Sequence, residues 1–448
     1  MMSKTITVVG AGLAGSECAL QLADKGYQVN LIEMRSIQLT PAHKTEKFAE
    51  LVCSNSFGSM AEISAPGQLK WEAEKRNSYI LDLAKKASVP AGQALGIDRE
   101  LFSQAVTDKV KSHPNIVIKN EIIKSIDDIP RPAVIATGPL TDEPLAQSLQ
   151  KHFGDEFLYF FDAIAPIIDA DSINTNIAWK ADRYGKGTND YYNCPMNKEQ
   201  YIAFVTEIQN ARKIEPKHFE TTEFFEGCMP IEVMVDRGLQ TLRFGPMKPV
   251  GLDDPRTGRY PYAVVQLRQD NKEATAYNIV GFQTRMAYGE QTRIFKMIPG
   301  LENAEFLKLG SIHRNMFINA PKRLNKDLSS RNDPWLFFAG QITGVEGYFE
   351  STCIGLLVAD FIDQKLMDTT FCPPPRASAM GSLLEAITDP YRAGQFQPTN
   401  INFGLLPPLT EKDLTEEQQK IVRTDKKLKK TLQIEKAQKA FASWASRN

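Results

Sequence analysis

Several things are scarce in this chain. Its six cysteines (Cys18, Cys53, Cys194, Cys228, Cys353 and Cys372) are scattered and form no C-x-x-C pair. That argues against a zinc or other metal site and against a disulfide framework, and it fits a reducing cytoplasm. No apolar run reaches the roughly 18 residues that a bilayer span requires, so no transmembrane helix is expected. The chain enters a strand almost at once, so no signal peptide is expected. An excess of one charge is also missing, since 53 Lys and Arg stand against 54 Asp and Glu. No global field then steers the protein to nucleic acid or membrane, and any such binding must use a local patch. There is no internal repeat and no low-complexity segment. What is present is a chain of 448 residues, enough for two or three domains with large cores.

The richest stretch is the beginning. Thr5–Val9 is a short apolar, β-branched run, which predicts a buried strand. Gly10, Gly12 and Gly15 follow as G-x-G-x-x-G, with Ala11, Leu13 and Ala14 between them. Ser16–Lys25 reads as a helix stopped by Gly26, and Gln28–Glu33 as a second strand ending on an acid. Each glycine serves a physical need, respectively the tight turn, close approach to a pyrophosphate, and close helix–strand packing. The helix start offers unpaired N–H groups and a positive dipole end to phosphates. Glu33 falls where a carboxylate accepts a bond from an adenosine ribose hydroxyl. The motif does not distinguish NAD from FAD.

Further along, Met34–Gly58 reads mostly as a loop, with Cys53 ahead of Ser54, Asn55 and Ser56. Small polar residues after a cysteine suit a turn or helix start whose N–H groups can stabilise a thiolate. Gln68–Lys86 is helical in pattern, and a helix starts near Asp98. Ala133–Thr137 is a strand that stops abruptly at Gly138-Pro139, on the sheet edge where ligands sit in open α/β folds. From about Ser148 to Leu309, aromatic and apolar alternation predicts antiparallel strands of an inserted α+β domain. Trp335–Asp360 then reads as a second dinucleotide-contacting unit. It is a strand, a turn carrying Gly340, Gln341, Gly344 and Gly347, and a helix with small residues on one face. The expected division is 1–147, 148–309 and 310–448. The tail, Glu416–Phe441, is a basic helix, either a solvated salt-bridged face or a phosphate-contacting patch.

GAGLAGSE, TPAHKTEKFAELVCSNS, ATGPL, EFFEGCMPIE, GPMKPVGLDDPRTG, QLRQDN, MIPGLENAEF, HRNMFINAP and FFAGQITGVEGYFES together resemble the TrmFO family of folate- and FAD-dependent tRNA (uracil-5-)-methyltransferases. The likeness covers nearly the whole chain. It implies a glutathione-reductase-like, Rossmann-type FAD domain interrupted by a smaller insertion domain. It implies bound FAD, NADPH or NADH as reductant, and 5,10-methylenetetrahydrofolate as one-carbon donor, the methylene passing by way of reduced FAD. The implied product is ribothymidine at position 54 in the TΨC loop of tRNA. The same chemistry on a ribosomal RNA uridine, and a non-catalytic RNA-binding flavoprotein, are the alternatives. Retention of both Cys53 and Cys228 speaks against the latter.

That chemistry sets requirements. Carbon 5 of uracil is a poor nucleophile until a thiolate adds to carbon 6, so one activated cysteine is needed near the base. By resemblance Cys228 is that nucleophile, and Cys53 is a second cysteine near the flavin that takes part in proton transfer or shielding. Cys18, Cys353 and Cys372 read as structural, and Cys194 is ambiguous. A target base taken from its stack wants aromatic faces, for which Tyr191, Tyr192, Phe224 and Phe225 are candidates. Arg183, Lys186, Arg243, Lys248, Arg256, Arg259 and Arg268 are candidate contacts to phosphate or to the folate tail, and His43 and His313 are candidate proton carriers. No second G-x-G-x-x-G follows a later strand, so a separate nicotinamide domain is not expected. NAD(P)H would dock transiently where folate also binds, which predicts ping-pong behaviour.

Overall fold

Short apolar strands build a fully parallel sheet in the order Leu336–Phe338, Ala133–Ile135, Thr5–Val9, Gln28–Glu33, Ile116–Asn120. The computed structural model describes residues 5–154, 158–163, 165–214, 229–310, 312–422 and 424–446. The strands read as unbroken apolar runs because both sheet faces are covered; Ile6, Val8, Leu31, Val134 and Phe337 have no exposed surface. The helices used below are α1 (Leu13–Asp24), α2 (Ala65–Lys75), α3 (Arg99–Lys111), α4 (Tyr348–Leu366), α5 (Ala379–Thr388), α6 (Glu416–Ile421) and α7 (Lys426–Ala445).

From the Thr5–Val9 strand the chain moves outward to Gln28–Glu33 and Ile116–Asn120. It then returns to lay Ala133–Ile135 on the first strand's other side. The strand order reverses there, and a crevice opens at the C-terminal ends of the strands. α1 and α4, the helices that follow the two glycine turns, pack on each other at very close range. A Cβ added to Gly355 would sit 2.2 Å from the Ala14 carbonyl oxygen. This is the small-residue face legible in the sequence of α4.

A second sheet of six strands is antiparallel in every pair. Its order is Trp179–Lys180, Tyr191–Met196, Ala263–Gln269, Ala276–Ile279, Ile167–Asp169, Phe306–Lys308. Its apolar face, with Cys194, Val265, Leu267 and Ile279, packs with Tyr201, Phe204 and Ile208 of the Lys198–Asn210 helix. Two hydrophobic cores result. One gathers residues from Ile6 to Phe153 and from Met316 to Trp444, the other residues from Ile168 to Ala304.

Two helices are shorter than their sequence pattern. The Gln68–Lys86 pattern breaks after α2, where Asn77 takes a left-handed φ of +54° and Ser78 caps a new helix, Tyr79–Lys86. Asn tolerates that conformation and Ser accepts from the free N–H groups, so local chemistry overrides the apolar spacing. The basic tail breaks likewise between α6 and α7, where Asp425 accepts from the N–H groups of Lys427 and Leu428.

Glu72 of α2 is buried at the start of α5, accepting from the N–H groups of Ala379 (2.7 Å) and Met380 (2.8 Å). Burial pushes its carboxyl up to about 7, and these bonds draw it only part of the way back. Between its ordinary value of 4.5 and about 7 the folded protein therefore holds a proton that the unfolded chain has released. Stability should fall as pH rises through that window. Glu72→Gln should flatten the fall, read as urea midpoints at about pH 5 and about pH 8. Gly355→Ala should destabilise the fold by about 1–3 kcal/mol through overpacking of α4 on α1, measured by the same titration.

Candidate active site

The glycine turn after the first strand divides three roles among three residues. Gly10 has φ +100°, and a Cβ there would lie 2.6 Å from the Ala136 oxygen. A Cβ on Gly15 would lie 1.8 Å from the Gly10 oxygen, so α1 can approach the strand only without one. Gly12 differs, since a Cβ there would meet nothing within 4 Å. It is the N-cap of α1, no side chain caps that helix end, and Gly12, Leu13 and Ala14 line an open cavity of about 1060 Å³. An uncapped helix N-terminus facing empty space fits an anionic ligand.

Glu33 closes the second strand at the same cavity. Its Oε2 accepts from the Ala11 N–H (2.8 Å) and from Arg35 Nη2 (2.9 Å), and its Oε1 from the N–H groups of Met34 (2.9 Å) and Arg35 (3.0 Å). Burial alone would raise this carboxyl. The Arg35 guanidinium and the backbone donors outweigh burial and hold it below the usual carboxylate range. The opposite wall comes from Ala136–Gly138, from Ala339, Gly340 and Gln341, and from Tyr348 and Ser351 of α4. His43 also lines it, with Nδ1 2.6 Å from Thr40 Oγ1. Of the residues expected at a dinucleotide, Ala11 and Gly15 sit behind the lining, and Gly347 lines an adjoining cavity. Gly344 lines neither cavity; its turn, at φ +84°, packs on Phe396.

The adjoining cavity, about 1300 Å³, shares Val52, Pro139, Leu140, Gln341 and Tyr348 with the first. Cys53, half-buried, lies in its wall beside Ser54, Ser56 and Arg268. The Cys53 loop is held from behind on three consecutive carbonyls. Arg99 donates to the oxygens of Leu51 (2.5 Å) and Cys53 (2.9 Å), and Lys308 Nζ donates to that of Val52 (3.0 Å). The Cys53 N–H donates to Tyr348 Oη at 2.6 Å. Arg99 is itself paired with buried Asp270, Nε to Oδ2 at 3.1 Å. The Asn55 amide donates to the oxygens of Ile97 and Gln269, while its Oδ1 accepts from Arg268 and Asn278. Burial pushes the Lys308 ammonium down to about 8, and Arg99 and Lys44 act in the same direction.

Several sequence candidates stand elsewhere. Arg268, read as a phosphate or folate contact, does line the second cavity, where its Nε donates to Asn55 and its Nη2 to Ser54. Arg183 is tied to Gln266 and the Val250 carbonyl, Arg243 to Gln240 and Tyr262, and Arg256 to Asp254. Lys186, Lys248 and Arg259 are exposed and line neither cavity. Tyr191 donates to the Ala91 carbonyl and Tyr192 packs edge-on to Tyr277, so both serve packing rather than a cavity wall. Cys18, Cys194 and Cys353 are fully buried, and burial raises each thiol. Cys228, Phe224 and Phe225, and the side chain of His313, lie outside the described residues. Arg99, Asp270, Lys308 and Tyr348 are not legible as site residues in the sequence; nothing local marks them, and only the fold brings them to one loop.

These features define a Rossmann-type dinucleotide-binding α/β protein with a cysteine beside its crevice. The family model for glucose inhibited division protein A matches residues 5–370. A methylenetetrahydrofolate–tRNA-(uracil-5-)-methyltransferase TrmFO of Bdellovibrio bacteriovorus is 76% identical over 99% of this chain and 98% of its own length. The protein of the same name from Natranaerobius thermophilus is 51% identical over 99% of both. Among solved structures, Aquifex aeolicus GidA in its form II crystal superposes with a TM-score of 0.66 at 13% identity, covering 98% of this chain and 73% of that one. The chain belongs to the glucose inhibited division protein A family and, within that likeness, to the TrmFO family.

Arg99→Leu should cost on the order of 3–5 kcal/mol, because it strands the buried Asp270 carboxylate. Adding Asp270→Asn should restore part of that loss in a double-mutant cycle read by chemical denaturation.

Proposed function

We propose that this protein is a folate- and FAD-dependent tRNA (uracil-5-)-methyltransferase that makes ribothymidine at position 54 of the TΨC loop. The observation that carries the reading is the placement of Cys53 in the wall of a cavity continuous with the dinucleotide crevice. The names of relatives aligned over 99% of the chain support it. The division into an FAD domain at 1–147 and 310–448 and an insertion at 148–309 is part of the reading; the two separate cores support two bodies, with Leu149 and Phe153 packed in the first core rather than the second.

In this reading Gly10, Gly12, Leu13 and Ala14 and the uncapped end of α1 hold the FAD pyrophosphate, Glu33 holds the adenosine ribose, and Gly138, Gly340 and Gln341 border the rest. FAD bound there supplies hydride transfer and one-carbon relay from 5,10-methylenetetrahydrofolate, with NAD(P)H as reductant. The remaining work falls to the chain's own groups. Cys228 adds to uracil carbon 6 and turns carbon 5 into a nucleophile. Cys53, fixed through its own carbonyl and those of Leu51 and Val52, stands beside the exchange to move the carbon 5 proton or to shield the site. Phe57, Phe349 and Ile401 give that cavity an apolar part beside the polar side chains of Ser54, Ser56 and Arg268. With one crevice for both, NAD(P)H and folate bind in turn.

Purified protein should be yellow and should transfer label from methylenetetrahydrofolate to an unmodified tRNA transcript in the presence of NADPH or NADH. A transcript with cytidine at position 54 should take no label. Cys228→Ala should lower transfer by on the order of 10³-fold or more and abolish covalent capture of the RNA. Label transferred by Cys228→Ala at the wild-type rate would remove the nucleophile assignment, and a colourless protein that cannot be reconstituted with FAD would remove the whole reading.

A further inference from the structure

The strongest positive feature of the surface lies outside both cavities. Between residues 420 and 439 stand eight Lys and Arg against two carboxylates, in a chain whose net charge is −1. α7 opens with Lys426, Lys427, Lys429 and Lys430, all exposed, while its buried side runs from Leu432 to Trp444. Four cations in the first turns oppose the helix macrodipole, whose positive end is there, and the i, i+3 and i, i+4 pairs among them repel. The neighbouring α6 shows the ordinary arrangement, with Glu416 and Glu417 in its first turn. Among the described residues, none of the four lysines forms an ion pair. Their one further contact is Lys430 Nζ, 5.1 Å from the centre of the Phe403 ring. The Asp425 cap offsets part of that cost, and the remainder points to a use at the surface.

Its position suggests what that use is. α7 runs in the same direction as α2: Phe441 packs on Trp71, and Trp444 lies under Arg76. The lysine end therefore lies toward the start of α2, where Pro66 lines the Cys53 cavity. Phe403, under Lys430, follows Asn400 and Ile401, which line the same cavity. A balanced overall charge leaves RNA affinity to local patches, and closely spaced lysines at the end of α7 that faces the cavity's side of α2 match a phosphate backbone. We infer that the lysine cluster opening α7 is a contact surface for the phosphate backbone of the tRNA substrate. This rests on the proposed function and adds a docking surface outside both cavities, joined to the lining segment Asn400–Ile401 through Phe403.

The test combines Lys426→Gln, Lys427→Gln, Lys429→Gln and Lys430→Gln in the full-length protein and titrates an unmodified tRNA transcript at several salt concentrations. The variant should bind about 10-fold or more weakly at about 0.1 M salt, with the slope of log affinity against log salt flatter by roughly two to three. Its thermal midpoint should stay the same or rise, since cations leave the positive end of a helix. Wild-type binding with an unchanged slope in the variant overturns the surface and leaves the proposed function standing. A wild-type protein that neither binds nor methylates tRNA overturns both. Sedimentation of the wild type, but not the variant, with phosphatidylglycerol vesicles, at unchanged tRNA affinity, overturns the surface in favour of a membrane.

Discussion

The buried ion pair of Arg99 and Asp270 is the interaction on which the rest of the site depends. Asp270 is buried and Arg99 largely so, and losing the guanidinium would leave the carboxylate buried without its counter-charge. Asp270 follows a strand of the antiparallel sheet, and Arg99 opens α3 beside the parallel one. Their pairing fixes where the two sheets meet, and the guanidinium's remaining donors are spent on the Leu51 and Cys53 carbonyls. The loop that carries Cys53 is thus located by backbone bonds from a paired cation, and Cys53 stands in the cavity wall.

The dinucleotide crevice rests on a different constraint, namely contact distances too short for any side chain. Gly10 and Gly15 bring the strand, the turn and α1 together, and Gly355 lets α4 lie against Ala14. These residues fill one side of the crevice with backbone. The other side, at Gly12, stays empty, and that contrast gives the crevice its shape.

What can be read from the sequence follows the range of the physics involved. The first strand pair, the glycine turn between them and the acid at Glu33 are governed by neighbours within about 30 residues, and pattern alone locates them. The same holds for the alternation that forms the antiparallel sheet. The partners of the Cys53 loop stay hidden because Arg99, Asp270 and Lys308 carry no local signature. Arg99 reads as part of a helix start and Lys308 as one lysine among many. Arg268 stands out for its charge, but sequence cannot show that it donates to Ser54 and Asn55. The helix breaks at Asn77 and Asp425 are missed for the opposite reason, since capping chemistry at single residues outweighs a longer apolar rhythm.

The anchoring of the Cys53 loop from both sheets has a mechanical consequence. Arg99 and Lys308 grip adjacent carbonyls of one short loop from opposite bodies, so that loop acts as a rivet across their seam. A clamshell opening at this seam would have to tear a buried ion pair and several backbone bonds at once. Ligand exchange through the cavity's existing opening leaves those bonds intact, whereas parting the two bodies does not.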